Sequence, residues 1–180
     1  MTRLITTLSV LSLYAAAALG AAPDAPSAQS PIMSETISVS GAVAQPLTLG
    51  VAELEQFPPQ QIGEVAMICD NGANLGKEQN LRGILLRDIL NQAQIKVTNP
   101  RDLRKMVVIA SATDAYKAVF SWAELFNSPT GDKVIVYFAK DGQPLGEDEG
   151  RIALISTTVL RTGPRHVKWL SGIEVRQLAE

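Results

Sequence analysis

The sequence predicts a mixed α+β domain, and three observations carry that prediction. About eight short segments are apolar or alternate apolar with polar residues, as strands do, and Gly, Pro, Asn and Asp punctuate them. The few stretches with helical spacing are short. Strands and helices do not alternate regularly, so largely antiparallel or mixed sheets are expected and not a doubly wound parallel one.

The 180 residues suffice for one domain with a core. Residues 1–22 read as a secretory signal. Arg3 precedes the apolar run from Leu8 to Leu19, which is shorter than the ~20 residues of a spanning helix. Ala18-Leu19-Gly20 offers a small-x-small cleavage site. No Arg-Arg pair stands ahead of the run, so the signal is of the general secretory kind. The expected location is periplasmic or secreted, with no membrane span once the signal is removed. Residues 23–34 (PDAPSAQSPIMS) read as a flexible tether, and 35–180 as the domain. The formal net charge of −2 gives no electrostatic case for nucleic acid or an anionic membrane as partner. With one cysteine there is no internal disulfide.

Thr36 to Ser40 alternates polar and apolar as a half-buried strand, and Leu47-Thr48-Leu49 follows as a second. Val51 to Gln56 reads as a short helix stopped by Pro58-Pro59. Val65 to Ile68 reads as a buried strand ending at Cys69. A polar Gly/Asn loop comes next, and Arg82-Gly83 is expected to open an amphipathic helix with Leu85, Leu86, Ile89 and Leu90 on its apolar face. Met106 to Ala110 (MVVIA) has the near-continuous apolar character of a central strand, and Tyr116 to Phe120 alternates beside it. Ser121 is a suitable N-cap for a helix from Trp122 to Phe126. Val134 to Ala139 (VIVYFA) reads as a buried strand, Asp141-Gly142 as a tight turn, and Ile152–Ile155 and Val167–Val175 as the last strands.

The sequence has no CxxC, HExxH, GxSxG, P-loop or strand-linked GxGxxG, and its single histidine excludes multi-histidine metal sites. Cys69 stands where a strand runs out into a loop. Two readings fit it: a small buried hydrophobe, or a thiolate ligand for a soft transition metal. Asp114 either caps a turn or faces the same pocket as Cys69, and Tyr116 follows it. Arg161, Arg165, His166 and Lys168 surround the turn Gly163-Pro164. They suit a phosphate or other anion, or form a solvated rim.

In order, these pieces resemble the molybdopterin-binding domain of the sulfite-oxidase family in a small stand-alone exported form. The resemblance runs from about Ile37 to Val175. It rests on the Gly41–Leu54 segment, on Cys69 followed by Arg82-Gly83-Ile84-Leu85-Leu86-Arg87-Asp88-Ile89-Leu90, and on Ser111–Leu125. Asp141-Gly142-Gln143-Pro144-Leu145 and the closing GPRHVKWLSGIEV complete it. Two departures stand out. Ala115 occupies the place of an expected Gly, and nothing between Ser34 and Val65 resembles the aromatic-Arg-x-His segment of larger members.

The resemblance implies a mixed α+β fold and a molybdenum–molybdopterin cofactor whose one protein sulfur comes from Cys69. It implies oxygen-atom transfer to or from sulfur or similar centres. Arg82, Arg165, His166 and Lys168 are the expected cofactor contacts, and Cys69, Asp114 and Tyr116 the expected catalytic group. A small-molecule substrate and a periplasmic redox or signalling partner follow. The alternative is a non-enzymatic ligand- or partner-binding module on the same fold without molybdopterin. In a haem version, His166, Cys69 or Met67 would be the axial ligand.

Overall fold

The computed structural model describes residues 33–178. The expected signal at 1–22 and most of the expected tether lie outside the described residues. In chain order the strands are β1 (Thr36–Gly41), β2 (Leu47–Gly50), β3 (Gln60–Ile68), β4 (Asn74–Leu85), β5 (Met106–Ala112) and β6 (Lys117–Ser121). They continue with β7 (Val134–Lys140), β8 (Gln143–Pro144), β9 (Ala153–Ser156), β10 (His166–Val167) and β11 (Leu170–Gln177). The helices are short: α1 (Val51–Leu54), α2 (Leu86–Ala93) and α3 (Trp122–Phe126). The mixed α+β class is borne out, with more strands than the sequence suggests and with β3 and β4 longer than expected.

Two sheets form. The first has the order β2-β1-β11-β5-β6, and the second β10-β9-β7-β4-β3 with β8 beside β7. β1 pairs with β11 in parallel, whereas every other named pair of strands is antiparallel. The main core draws side chains from both sheets and α2, among them Ile37, Val108, Phe120, Leu86, Leu90, Val136 and Leu154. Val134, Val136 and Phe138 of β7 face that core, while Ile135 and Tyr137 face a smaller cluster with Val65, Met67, Leu81 and Ile155. β7 is therefore covered on both faces, which is why VIVYFA is unbroken by polar residues.

One expectation is overturned. Arg82-Gly83 does not open a helix; both belong to β4, and α2 begins only at Leu86. The cause is cross-strand. A register shift between Arg82 and Gly83 bulges the β4–β7 ladder, and a Cβ on Gly83 would stand 2.2 Å from the Val136 carbonyl oxygen. The polar stretch expected as a loop is mostly strand as well. Only Cys69 to Ala73 turns, and β4 starts at Asn74, exposed on both faces for its first turns of pleat. Leu85 faces the smaller cluster, leaving Leu86, Ile89, Leu90 and Ala93 as the buried face of α2.

Candidate functional site

Three loops far apart in sequence converge on one cavity of about 330 Å³. The first is the tip of the β3–β4 hairpin, which brings Cys69 and Asp70. The second is the β5–β6 turn, with Asp114 and Tyr116. The third is the segment from Gly163 to Trp169, where the chain leaves the second sheet through β10 and enters the first at β11.

Each loop is held by polar contacts. The hairpin tip closes through Cys69 N–H donating to Ala73 O at 2.8 Å and Gly72 N–H to Cys69 O at 2.9 Å. The Thr162 hydroxyl accepts from Ile68 N–H and donates to Ala66 O, both at 2.7 Å, so it seals the free edge of β3. Gly163 follows immediately, and a Cβ there would lie 3.1 Å from Ile68 O and 3.5 Å from Cys69 Cα. That glycine lets the third loop seat against the cysteine turn. In the β5–β6 turn, Tyr116 N–H donates to Asp114 Oδ1 at 2.9 Å, and the Tyr116 hydroxyl donates to Pro164 O at 3.0 Å. Asp114 thus caps its turn and also lines the cavity. Trp169 closes the far side. Its N–H donates to Glu149 O, its Nε1–H to Glu147 O, and its carbonyl accepts from Thr113 N–H.

Cys69 is half-buried at the cavity. Lys168 lines the same space and forms no ion pair among the described residues, so its charge is available to an anion. Asp70 and Asp114 are the carboxylates that face it. His166 forms the inner wall. Its Nε2 is 2.6 Å from the Tyr137 hydroxyl, which in turn donates to Glu149 Oε2 at 3.1 Å. Lys140 bridges Glu149 at 2.8 Å and Glu78 at 2.9 Å. Burial pushes the His166 pKa down to about 4, the Glu149 charge opposing it only in part. Tyr137 is raised well above its ordinary value, first by burial and then by the charge of Glu149. Burial acts to lower Lys140, but its two carboxylate partners outweigh it and hold the ammonium above its usual range.

Five residues expected at the site meet here: Cys69, Asp114, Tyr116, His166 and Lys168. Arg165 and Arg82 do not line this cavity. The Arg165 guanidinium donates to Val119 O at 2.9 Å, pairs with Glu124 at 3.4 Å and lies 4.7 Å from the Phe120 ring centroid. Arg82 pairs with Glu55 at 3.1 Å and lies over Phe138, in a separate cavity of about 550 Å³ that Arg151 also lines. Met67 packs in the smaller core cluster and borders a third cavity. Tyr137, Lys140, Glu149 and Thr162 are not legible as site residues from sequence. The one signal was Tyr137 itself, a hydroxyl inside an otherwise apolar strand that needs a polar partner.

A half-buried thiol, an unpaired lysine and a neutral imidazole line one cavity, and the thiol is the kind of sulfur donor that soft metals take. Among the described residues no three His, Cys, Asp or Glu side chains are grouped to hold a metal ion by themselves, so a metal here would arrive with a ligand of its own. The family model described as oxidoreductase molybdopterin binding domain matches residues 27–179, and the chain belongs to that family. The resemblance drawn from the motifs is thereby borne out. No curated protein matches the chain. Among solved structures, the sulfane dehydrogenase SoxCD from Paracoccus pantotrophus is similar, with a TM-score of 0.60 and 19% identity. The match covers 80% of this chain and 38% of that one, so the chain spans well under half the length of that relative and shares its fold.

The residues present fit the metal end of a molybdopterin. Cys69 offers the thiolate sulfur that molybdenum takes, and the absent Cβ of Gly163 leaves the backbone close beside it. Lys168 offers one cation to the anionic part.

Proposed function

We propose that this chain is an exported, periplasmic molybdopterin-dependent oxidoreductase domain working at the Cys69 cavity. The observation that supports it is the meeting of the chain's lone cysteine with an unpaired lysine on one cavity built by three separate loops. Cys69 would ligate the metal, and Lys168 would hold the phosphate or pterin end. The bound group supplies a metal that changes oxidation state while an oxygen atom passes to or from a sulfur-like centre. Asp114 and Tyr116 shape the entrance, where a small-molecule substrate docks. A separate periplasmic redox partner exchanges the electrons.

The test is molybdenum and pterin analysis of protein made in a host that synthesises molybdopterin. Near-stoichiometric molybdenum is expected in the wild type. Cys69→Ser is expected to lose it while keeping its circular-dichroism spectrum. Equal molybdenum in both proteins would remove Cys69 as the ligand.

A second reading has its own support. The Arg165 guanidinium is engaged at the edge of the first sheet, and two carboxylates face Lys168 across the cavity. That arrangement favours a binding module without molybdopterin, and metal-free wild-type protein from the same host would select it.

A further inference from the structure

His166 is the only histidine in the chain. Its ring stands in a wall, shared with Gly163 and Lys168, between the Cys69 cavity and a neighbouring cavity of about 350 Å³ lined by Met67, Leu75 and Glu78. The hydrogen bonds behind it leave few choices. The Tyr137 hydroxyl has one proton and two neighbours, His166 Nε2 and Glu149 Oε2. Glu149 is 1% exposed and ion-paired with Lys140, and its carboxylate can only accept. The Tyr137 proton therefore goes to Glu149. The Tyr137 oxygen must then accept from Nε2–H, because two lone pairs facing each other at 2.6 Å would repel. A neutral imidazole carries one proton, so Nδ1 keeps a bare lone pair. Nδ1 makes no hydrogen bond among the described residues.

We infer that His166 contacts the occupant of the Cys69 cavity as a hydrogen-bond acceptor only. Tyr137 and Glu149 fix its ring, its Nδ1 lone pair faces the cavity, and the site takes a molecule or cofactor edge bearing an N–H or O–H donor at that point. A fully deprotonated oxyanion or a bare sulfoxide oxygen would meet lone pair with lone pair there and is disfavoured. The inference rests on the Cys69 cavity being the binding site, and holds whether or not molybdopterin fills it. The charges acting on the ring are the buried Glu149 in the turn before Arg151, the partly exposed Lys140 at the end of β7, and Lys168 on its own segment.

Because the histidine is unique, nitrogen-15 labelling reports it alone. Two-bond proton–nitrogen correlation spectra of the metal-free chain near neutral pH should show the Nε2–H tautomer. Diethyl pyrocarbonate should carbethoxylate the histidine, read from its ultraviolet absorbance. Prior N-ethylmaleimide treatment of Cys69 should abolish that reaction, and the same treatment of Cys69→Ser should leave it intact. An Nδ1–H tautomer, an inert histidine, or a reaction indifferent to alkylation of Cys69 would each overturn the inference. Tyr137→Phe should lose the single-tautomer pattern; if that variant does not fold, the wild-type spectra and the alkylation pair still decide. Absence of molybdenum fails the oxidoreductase reading without altering any of these outcomes.

Discussion

Ala115 holds a backbone conformation that its side chain resists. Its φ of +72° lies in the left-handed region, at the β5–β6 turn that presents Asp114 and Tyr116. Glycine removes that penalty at some entropic cost, so Ala115→Gly should stabilise the protein by about 0.5–1 kcal/mol, measured by urea unfolding. His166 sets a pH limit at the same scale. It is 9% exposed, and its folded pKa of about 4 lies below the ordinary 6.5, so the unfolded chain binds its proton first. The stabilisation is complete above pH 6.5 and is lost as pH falls towards 4, where about 3 kcal/mol should have gone. Acid titration of the melting temperature checks this. His166→Gln should flatten that part of the profile, and an unchanged slope would assign the acid sensitivity elsewhere.

Among the elements, the loop from Arg161 to Trp169 carries the most consequence, because it fastens to both sheets. Thr162 seals the edge of β3 and Arg165 the edge strand β6 through Val119. Thr162→Val keeps the shape and removes both hydroxyl bonds, leaving Ile68 N–H and Ala66 O to find water. A loss of about 2–3 kcal/mol is expected in urea unfolding, together with faster alkylation of Cys69 as the hairpin tip loosens. Gly83→Ala should be worse, by about 3 kcal/mol or more, since its Cβ meets the β7 backbone. These elements also show what sequence reading reaches. MVVIA, VIVYFA and the Ser121 cap are legible because burial on both faces and local capping leave compositional marks. The Ser121 hydroxyl does accept from Glu124 N–H at 3.0 Å. β4 is not legible, because its first half is polar on both sides and its existence depends on β3 across the ladder. The site was legible where a short side chain is fixed by its own turn, as at Cys69 and Asp114. It was not legible for Arg82 and Arg165, whose long side chains settle on partners chosen by tertiary contact.

For the whole molecule, the first sheet joins the two ends of the described chain. β11 lies between β1 in parallel and β5 antiparallel, with Ile173 and Val175 in the main core. Such distant pairing makes folding slow relative to helical proteins of equal size. A chain ending after Leu170 leaves β1 and β5 without the strand between them, and circular dichroism should show it largely unfolded. Among the described residues no helix is long and apolar enough to cross a membrane.

The cavity draws its walls from positions near 69, 114 and 166 of the chain, carried by two different sheets. A guest touching all three becomes a staple between segments that no covalent bridge joins, in a protein whose single cysteine denies it a disulfide. Its affinity is then returned as mechanical coherence. The hairpin tip and the β5–β6 turn can no longer open separately, and both should gain hydrogen-exchange protection together once the site is filled.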